Sequence, residues 1–278
     1  MLGRDLVEAL SGRFEVSGID IGDADISRLD EIRKAVLGPA PEFIIHCAAY
    51  TDVDGCEREV DLAYRVNAIG TRNVVTCAAE LDVPILYIST DFVFSGEKKS
   101  PYREFDLPGP ISEYGYSKLA GEYFVQGLHD KFYIVRTAWL YGSHGRNFVN
   151  TILGLARDVG ELRVVNDQVG SPTYTRDLSE KLVQLIASGA GYGIYHITNS
   201  GSCSWYEFAG KILDIVGWSD VSLEPISSKE SARAARRPAY SVLDSRALRL
   251  EGLSPLRHWH EALAEYLGKS EIMTGKGE

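Results

Sequence analysis

The sequence predicts an α/β protein in which a doubly wound parallel sheet carries a smaller, mixed C-terminal lobe. Three observations predict it. Short apolar runs at Phe43–Cys47, Ile85–Ile88 and Phe132–Val135 alternate with longer amphipathic stretches, the pattern of successive strand–helix–strand units. Two of these runs end in small or hydroxyl residues, Ala48-Ala49 and Ser89-Thr90-Asp91, as strands do that meet a ligand at their C-terminal edge. The stretch from Pro84 to Glu122 then carries a long polar loop into a helical segment on which Tyr114 and Lys118, four apart, share a face.

Length and composition bound the reading. At 278 residues, 45% hydrophobic and 24% charged, the chain suits one large domain or a main domain with a lobe. The expected division is a dinucleotide-binding part over 1–142, a mostly substrate-binding part over 143–268 interleaved with it, and a frayed tail over 269–278. A net charge of −10 argues against nucleic acid and acidic membrane as partners, while leaving an anionic nucleotide ligand open. The four cysteines are scattered without a CxxC or a nearby histidine pair, so neither a metal site nor a disulfide framework is expected. No run reaches membrane-spanning length and no signal-peptide core opens the chain, which makes the cytoplasm the default compartment.

In chain order, Met1–Leu10 reads as an amphipathic helix with Leu2, Leu6, Ala9 and Leu10 on one face. Phe14–Asp20 reads as a strand ending in an acid, the residue that hydrogen-bonds the ribose in a dinucleotide-binding unit. Such an acid repels a 2′-phosphate, so NADH is expected to serve at least as readily as NADPH. A helix to about Val36 follows, with Ser27 and Asp30 spaced as a capping box. Asp25 is either an N-terminal cap or a neighbour of the adenine. His46, on the buried strand, reads as a packed core histidine. Helices are expected at about Glu57–Asn67 and Thr71–Leu81. Beyond the Tyr114 helix come a strand from Phe132 that runs into a loop by Gly142, a helix from Arg146, and a helix from Asp177 to about Ala187. A strand at Gly193–Thr198, a helix at Trp205–Val216 and a strand-like Val221–Pro225 complete the lobe.

Thr90, Tyr114 and Lys118 supply a hydroxyl, a phenol and an ammonium to one place. A phenol titrates near 10 and is a poor acid–base group at neutral pH, and a fixed ammonium moves that value toward the working range. The Thr hydroxyl can hold a carbonyl oxygen while the phenol exchanges a proton with it.

The run Ser89-Thr-Asp-Phe-Val-Phe-Ser-Gly96 with Tyr114-Gly-Tyr-Ser-Lys118-Leu-Ala-Gly-Glu122 resembles the extended short-chain dehydrogenase/reductases, and within them the dTDP-4-dehydrorhamnose reductase family. The family's strand end reads Ser-Thr-Asp-Tyr-Val-Phe; Phe92 replaces the Tyr and removes a hydroxyl near the sugar. Asp167-Gln-Val-Gly170-Ser-Pro172-Thr173 and Arg237-Pro-Ala-Tyr-Ser241-Val-Leu243 resemble two further family segments. The resemblance implies a Rossmann-like fold and NADPH- or NADH-dependent reduction of the C4 ketone of dTDP-4-dehydro-L-rhamnose. Thr90, Tyr114 and Lys118 would be catalytic. Gly3, Asp20, Asp25, Ile26, Ala48, Ala49, Tyr50, Asn67 and Ser89, with Tyr114 and Lys118, would border the cofactor. Asn67 reads equally as a helix-kink or capping residue. Asp91, Phe92, Trp139, Asn147 and Arg237 would meet the substrate, against plainer readings of Trp139 as core and Arg237 as part of a solvated basic run. Arg237 would clamp the diphosphate, because guanidinium matches phosphate bidentately. A homodimer is compatible with the family. The same three central residues also serve nucleotide-sugar epimerases and dehydratases, and a non-catalytic regulatory subunit like that of methionine adenosyltransferase shares the fold. Gly3 stands where the third glycine of the family's phosphate loop belongs, 17 residues before Asp20. The first strand and two glycines would precede Met1, so a shortened N-terminus is expected, with weak dinucleotide binding as its consequence.

Overall fold

A computed structural model of the protein describes residues 1–269, apart from the side chain of Val159. In chain order the first half comprises α1 (Leu2–Leu10), α2 (Leu29–Leu37), β1 (Ile44–His46), α3 (Val53–Arg58), α4 (Val60–Tyr64), a π-helical turn at Arg65–Gly70, α5 (Thr71–Leu81), β2 (Ile85–Thr90) and α6 (Glu113–Leu128). The second half comprises β3 (Phe132–Thr137), β4 (Leu140–Tyr141), α7 (Phe148–Val159), β5 (Glu161–Val165), β6 (Val169–Gly170), β7 (Thr173–Tyr174), α8 (Thr175–Ser188), β8 (Gly193–His196), β9 (Cys203–Ser204), α9 (Trp205–Val216), β10 (Ser222–Ile226), α10 (Arg246–Leu250) and α11 (Trp259–Lys269).

The main sheet is parallel throughout, in the order β1-β2-β3-β8. All six residues of β2 are buried, because it has a strand on each side and helices over both faces. One face packs Leu2, Leu6 and Leu10 of α1 with Leu178, Leu182 and Leu185 of α8. The other packs Ile32 and Val36 of α2 with Val74, Val75 and Ala78 of α5 and Val125 of α6. This is the doubly wound arrangement that the alternating runs predict. Because β8 comes from the second half, the two halves interleave as expected. A separate core of α7, α9 and α11 around Phe208, Trp259 and Leu263 makes the C-terminal lobe, edged by the parallel pair β5–β10.

Three expectations are corrected. Phe14–Asp20 forms no strand: Phe14, Ile19 and Asp20 are exposed, and no strand among the described residues lies beside the segment to complete its ladder. The Ser27–Asp30 box does not form; Arg28 is the N-cap of α2, and Asp25 instead accepts the Ser27 N–H at 2.9 Å in a turn of its own. The helix expected over Glu57–Asn67 breaks at Glu59 and loosens to π geometry from Arg65, which places Asn67 inside the π turn. The strand from Phe132 runs into a loop as expected, and the loop turns at Trp139, whose φ of 49° is left-handed. Lys269 closes α11, and the rest of the expected tail lies outside the described residues.

Candidate active site

The site is built at the C-terminal end of β2. Ser89 and Thr90, adjacent on an extended strand, point to opposite faces. The Ser89 hydroxyl turns inward and donates to Glu122 Oε1 at 2.5 Å, so it is committed to the core rather than open to a cofactor. Glu122 also accepts from Arg136 of β3, Nε to Oε1 at 2.9 Å and Nη2 to Oε2 at 2.6 Å. Both ions are almost wholly buried. This node ties α6 to the ends of β2 and β3, and so fixes the helix that carries Tyr114 and Lys118.

Thr90 faces the other way. Its hydroxyl donates to Asp91 Oδ1 at 3.1 Å, accepts the Phe92 N–H at 3.2 Å, and meets the Tyr114 phenol. The helix α6 can come this close because Gly115 has no Cβ, which would run into the Phe92 carbonyl. Ser112 caps the helix start by accepting the Gly115 N–H at 3.2 Å. Phe92 stands edge-on to the Tyr114 ring, with centroids 5.5 Å apart. Tyr114 is buried among Cys56, Ala63, Tyr50 and Val53 of the α3–α4 corner.

Lys118, one turn along, is buried and donates to the Ile88 carbonyl at 2.8 Å, its ammonium lying 4.2 Å from the Tyr87 ring centre. Burial pulls it down to about 7, against the pull of Glu122 and Cys47 in the other direction. The expected lowering of the Tyr114 phenol is not what the structure shows. Burial pushes that phenol above its ordinary value, Asp91 and Cys56 add to the shift, and the Thr90 hydrogen bond opposes it. Asp91 is lifted to about 6 by burial, against hydrogen bonds from Ser241 and Thr90, and its Oδ2 has no partner.

Asn67, fully buried in the π turn, accepts the Tyr50 N–H at 2.8 Å and donates to the Tyr50 carbonyl and to Ser117 Oγ, both at 3.0 Å. It therefore buttresses the loop after β1 against α6, with its amide occupied. His46 is a core histidine as expected, pulled down to about 3 mainly by burial. In the same loop Ala48 is exposed and Ala49 half-buried, leaving the strand end open to a flat ligand. Ile26 packs on Gly70 and its carbonyl accepts from Asn73 at 2.9 Å. Asp20 bonds only within its own turn, to the Ile21 N–H at 2.8 Å, and Gly3 is exposed in the first turn of α1. The structure thus brings Thr90, Asp91, Phe92, Tyr114 and Lys118 together, with Asn67 and Tyr50 behind them, and does not draw Gly3 or Asp20 to that corner.

On the lobe side, the Trp139 indole stacks on Trp205 with centroids 3.5 Å apart and planes within 6°. It also covers Gly170, where a Cβ would stand 2.5 Å from the ring. Asn147 is engaged as the N-cap of α7, accepting the Asn150 N–H at 3.0 Å and donating to the Gly142 carbonyl at 2.8 Å. Arg237 pairs with Asp54 of α3. Sequence reasoning missed Glu122, Ser241, Trp205 and Asp54. Glu122 sits one turn beyond Lys118 and Ser241 within a family-like segment, whereas nothing local singles out Trp205 or Asp54.

A hydroxyl and a phenol at the C-terminal edge of a parallel strand, with a lysine on the next turn of the same helix, define an extended short-chain dehydrogenase/reductase, an oxidoreductase fold. The family model described as the RmlD substrate binding domain matches residues 1–272, and the chain belongs to that family. It is 42% identical over 267 residues to the spore coat polysaccharide biosynthesis protein SpsK of Bacillus subtilis, covering 96% of this chain and 93% of that one. It is likewise 42% identical over 271 residues to a dTDP-4-dehydrorhamnose reductase of Streptomyces griseus, covering 95% and 89%. Among solved structures, the dTDP-4-dehydrorhamnose reductase of Bacillus anthracis in complex with NADP superposes with a TM-score of 0.92 at 43% identity, covering 97% of this chain and 95% of that one. The orthologue from Clostridium acetobutylicum does so with a TM-score of 0.93 at 45% identity, covering 96% and 95%.

Proposed function

We propose that the protein reduces the C4 ketone of dTDP-4-dehydro-L-rhamnose to the alcohol of dTDP-L-rhamnose, with NADPH or NADH as reductant. The observation that carries this reading is the meeting of Thr90 and Tyr114 at a buried strand end beside an unpartnered Asp91 oxygen. The nicotinamide, when bound, supplies a hydride to the ketone carbon. The donor set suits its ribose half: Lys118 uses one of three N–H donors on Ile88 and keeps two for hydroxyls, and Ala48 and Ala49 leave the strand end open.

The chain's own part is proton handling and orientation. A phenol lifted by burial stays protonated through the neutral range, which is the state a proton donor to the nascent alkoxide needs. The Thr90 hydroxyl favours the phenolate left behind by hydrogen-bonding it, and it can hold the substrate oxygen beforehand. Asp91 and Phe92 border the sugar, the half-buried Trp139 side chain lies beside it, and Arg237 holds the diphosphate. Asn147 shapes this wall from behind, as the cap of α7.

We further read the protein as cytoplasmic, supported by four cysteines that are all unpaired. No helix among the described residues is long and apolar enough to cross a membrane. A homodimer would find exposed aromatic surface at Tyr116 and Tyr123 on α6. The test of function is nicotinamide oxidation against a panel of nucleotide 4-keto sugars. Consumption with dTDP-4-dehydro-L-rhamnose matched by dTDP-L-rhamnose formation is expected, and absence of turnover on every dTDP sugar would overturn the reading.

A further inference from the structure

The segment from Ala232 to Ser241 crosses from the lobe to the catalytic corner. Its carboxyl end is pinned there: the Ser241 side chain lies beside Asp91, the Ser241 N–H donates to the Val169 carbonyl at 2.8 Å, and Gly96 lies so close that a Cβ would stand 2.5 Å from Pro238. Its amino end is held by one residue of the other half of the molecule, Asp54 on α3. Asp54 Oδ1 accepts the Ala235 N–H at 3.0 Å and Arg237 Nη1 at 3.2 Å, while Oδ2 accepts Arg237 Nη2 at 2.9 Å and Arg233 Nη1 at 3.4 Å. Four donors on one carboxylate hold Asp54 ionised: burial alone would lift it, and the Arg237 and Ala235 hydrogen bonds bring it to about 2.

What Asp54 leaves open on Arg237 matters more than what it takes. A guanidinium has five N–H donors in a rigid plane. The end edge, Nη1 and Nη2, faces Asp54, and the other Nη1 hydrogen goes to the Ala235 carbonyl at 3.0 Å. The remaining two donors, Nε–H and the second Nη2–H, form the parallel pair of the side edge, and no acceptor among the described residues meets them. That edge matches a phosphate bidentately. A flexible arginine would lose side-chain entropy on forming such a pair, whereas one already fixed by its other edge loses little.

We infer that Asp54 is a positioning residue for the nucleoside diphosphate of the substrate, locking Arg237 by one edge so that the other edge is presented to the phosphates. The inference deepens the proposed function and rests on its reading of the substrate. Asp54 reaches the reaction only through Arg237. Its neighbours Val53 and Cys56 pack around Tyr114, so the same short helix touches both ends of the substrate site.

The experiment uses the full chain and dTDP itself as the probe, measured by titration calorimetry, with steady-state kinetics beside it. Asp54→Asn is expected to weaken dTDP binding about tenfold and to raise KM for the sugar nucleotide similarly. Its kcat should stay within about threefold and its KM for NADPH should not move. Arg237→Ala should lose at least as much, and adding Asp54→Asn to it should cost nothing further, since residues acting through one contact are non-additive. Arg233→Ala removes only the longest of the four contacts and should weaken dTDP binding less than Asp54→Asn does. Unchanged or tighter dTDP binding by Asp54→Asn, losses that add in the double variant, or no dTDP binding by the wild-type chain would each overturn the inference. A melting temperature near that of the wild type shows that the variant is folded. If the wild type binds dTDP but reduces no 4-keto sugar, the proposed reaction fails and the binding comparison still decides the role of Asp54.

Discussion

The end of β2 and the segment from Phe14 to Asp20 are similar pieces of sequence with opposite outcomes. Both are short, carry β-formers and lead to an acid, Asp20 at the end of one and Asp91 just after the other, and both would be strands by local pattern. Ile85–Thr90 has a ladder on each side and is buried at every residue. Phe14–Asp20 has no neighbour among the described strands and lies largely exposed. The difference teaches that a strand belongs to a pair rather than to a run of residues, since its backbone polar groups have no partners within the segment. It also separates two kinds of candidate site residue. Thr90, Tyr114 and Lys118 are held by packing on several sides, whereas Asp20 is held only by its own turn.

The sharpest way to break the contrast is to remove what over-determines the catalytic corner. Arg136→Met would leave the Glu122 carboxylate buried without its ion partner, a change of the kind that costs about 3–5 kcal/mol. Thermal unfolding is expected to fall by roughly 10 °C, and an unchanged melting temperature would show that the node does not hold the corner. Tyr114→Phe acts on chemistry in the same corner. Turnover should drop on the order of 10²-fold or more while the KM for sugar nucleotide changes little, as for loss of a positioned proton donor. Near-normal steady-state turnover would remove Tyr114 from the mechanism. The smallest effect belongs to the other region: Phe14→Ser, at a side chain 48% exposed, should change unfolding free energy by no more than about 0.5 kcal/mol. A larger loss in denaturant titration would mean that the segment is part of a cooperative structure after all.

How far the sequence could be read follows the same division. The central strands were legible because burial on both faces writes itself into continuous apolar runs, and Thr90, Tyr114 and Lys118 were legible because their spacing alone places them on one strand end and one helix face. The pair β5–β10 was only half legible. Val221–Pro225 reads as strand-like, but its partner Glu161–Val165 carries a short alternation, with Leu162 and Val164 inward and Arg163 outward, too brief to stand out. Partners distant in sequence were not legible at all. Nothing around Asp54 announces an arginine 183 positions later, and nothing around Trp139 announces Trp205. The fate of the phenol was misread for a related reason. Spacing puts a lysine near Tyr114, but the sign of the shift depends on burial, on Asp91 and on where the ammonium points, which only the packed structure supplies.

The left-handed backbone at Trp139 has a consequence for how this protein can change over evolutionary time. A bulky residue at a φ of 49° costs of order 1–3 kcal/mol that glycine or asparagine would largely avoid. Either replacement would also remove the indole's stacking on Trp205 and its cover over Gly170, so packing opposes the relief of strain, and on the proposed reading sugar recognition opposes it too. Position 139 is therefore a point where backbone strain is retained because the packed pair, and the proposed sugar wall, both depend on the same residue. Lineages that drift to a small residue there would relax the backbone and relinquish the stacked pair together with the proposed wall.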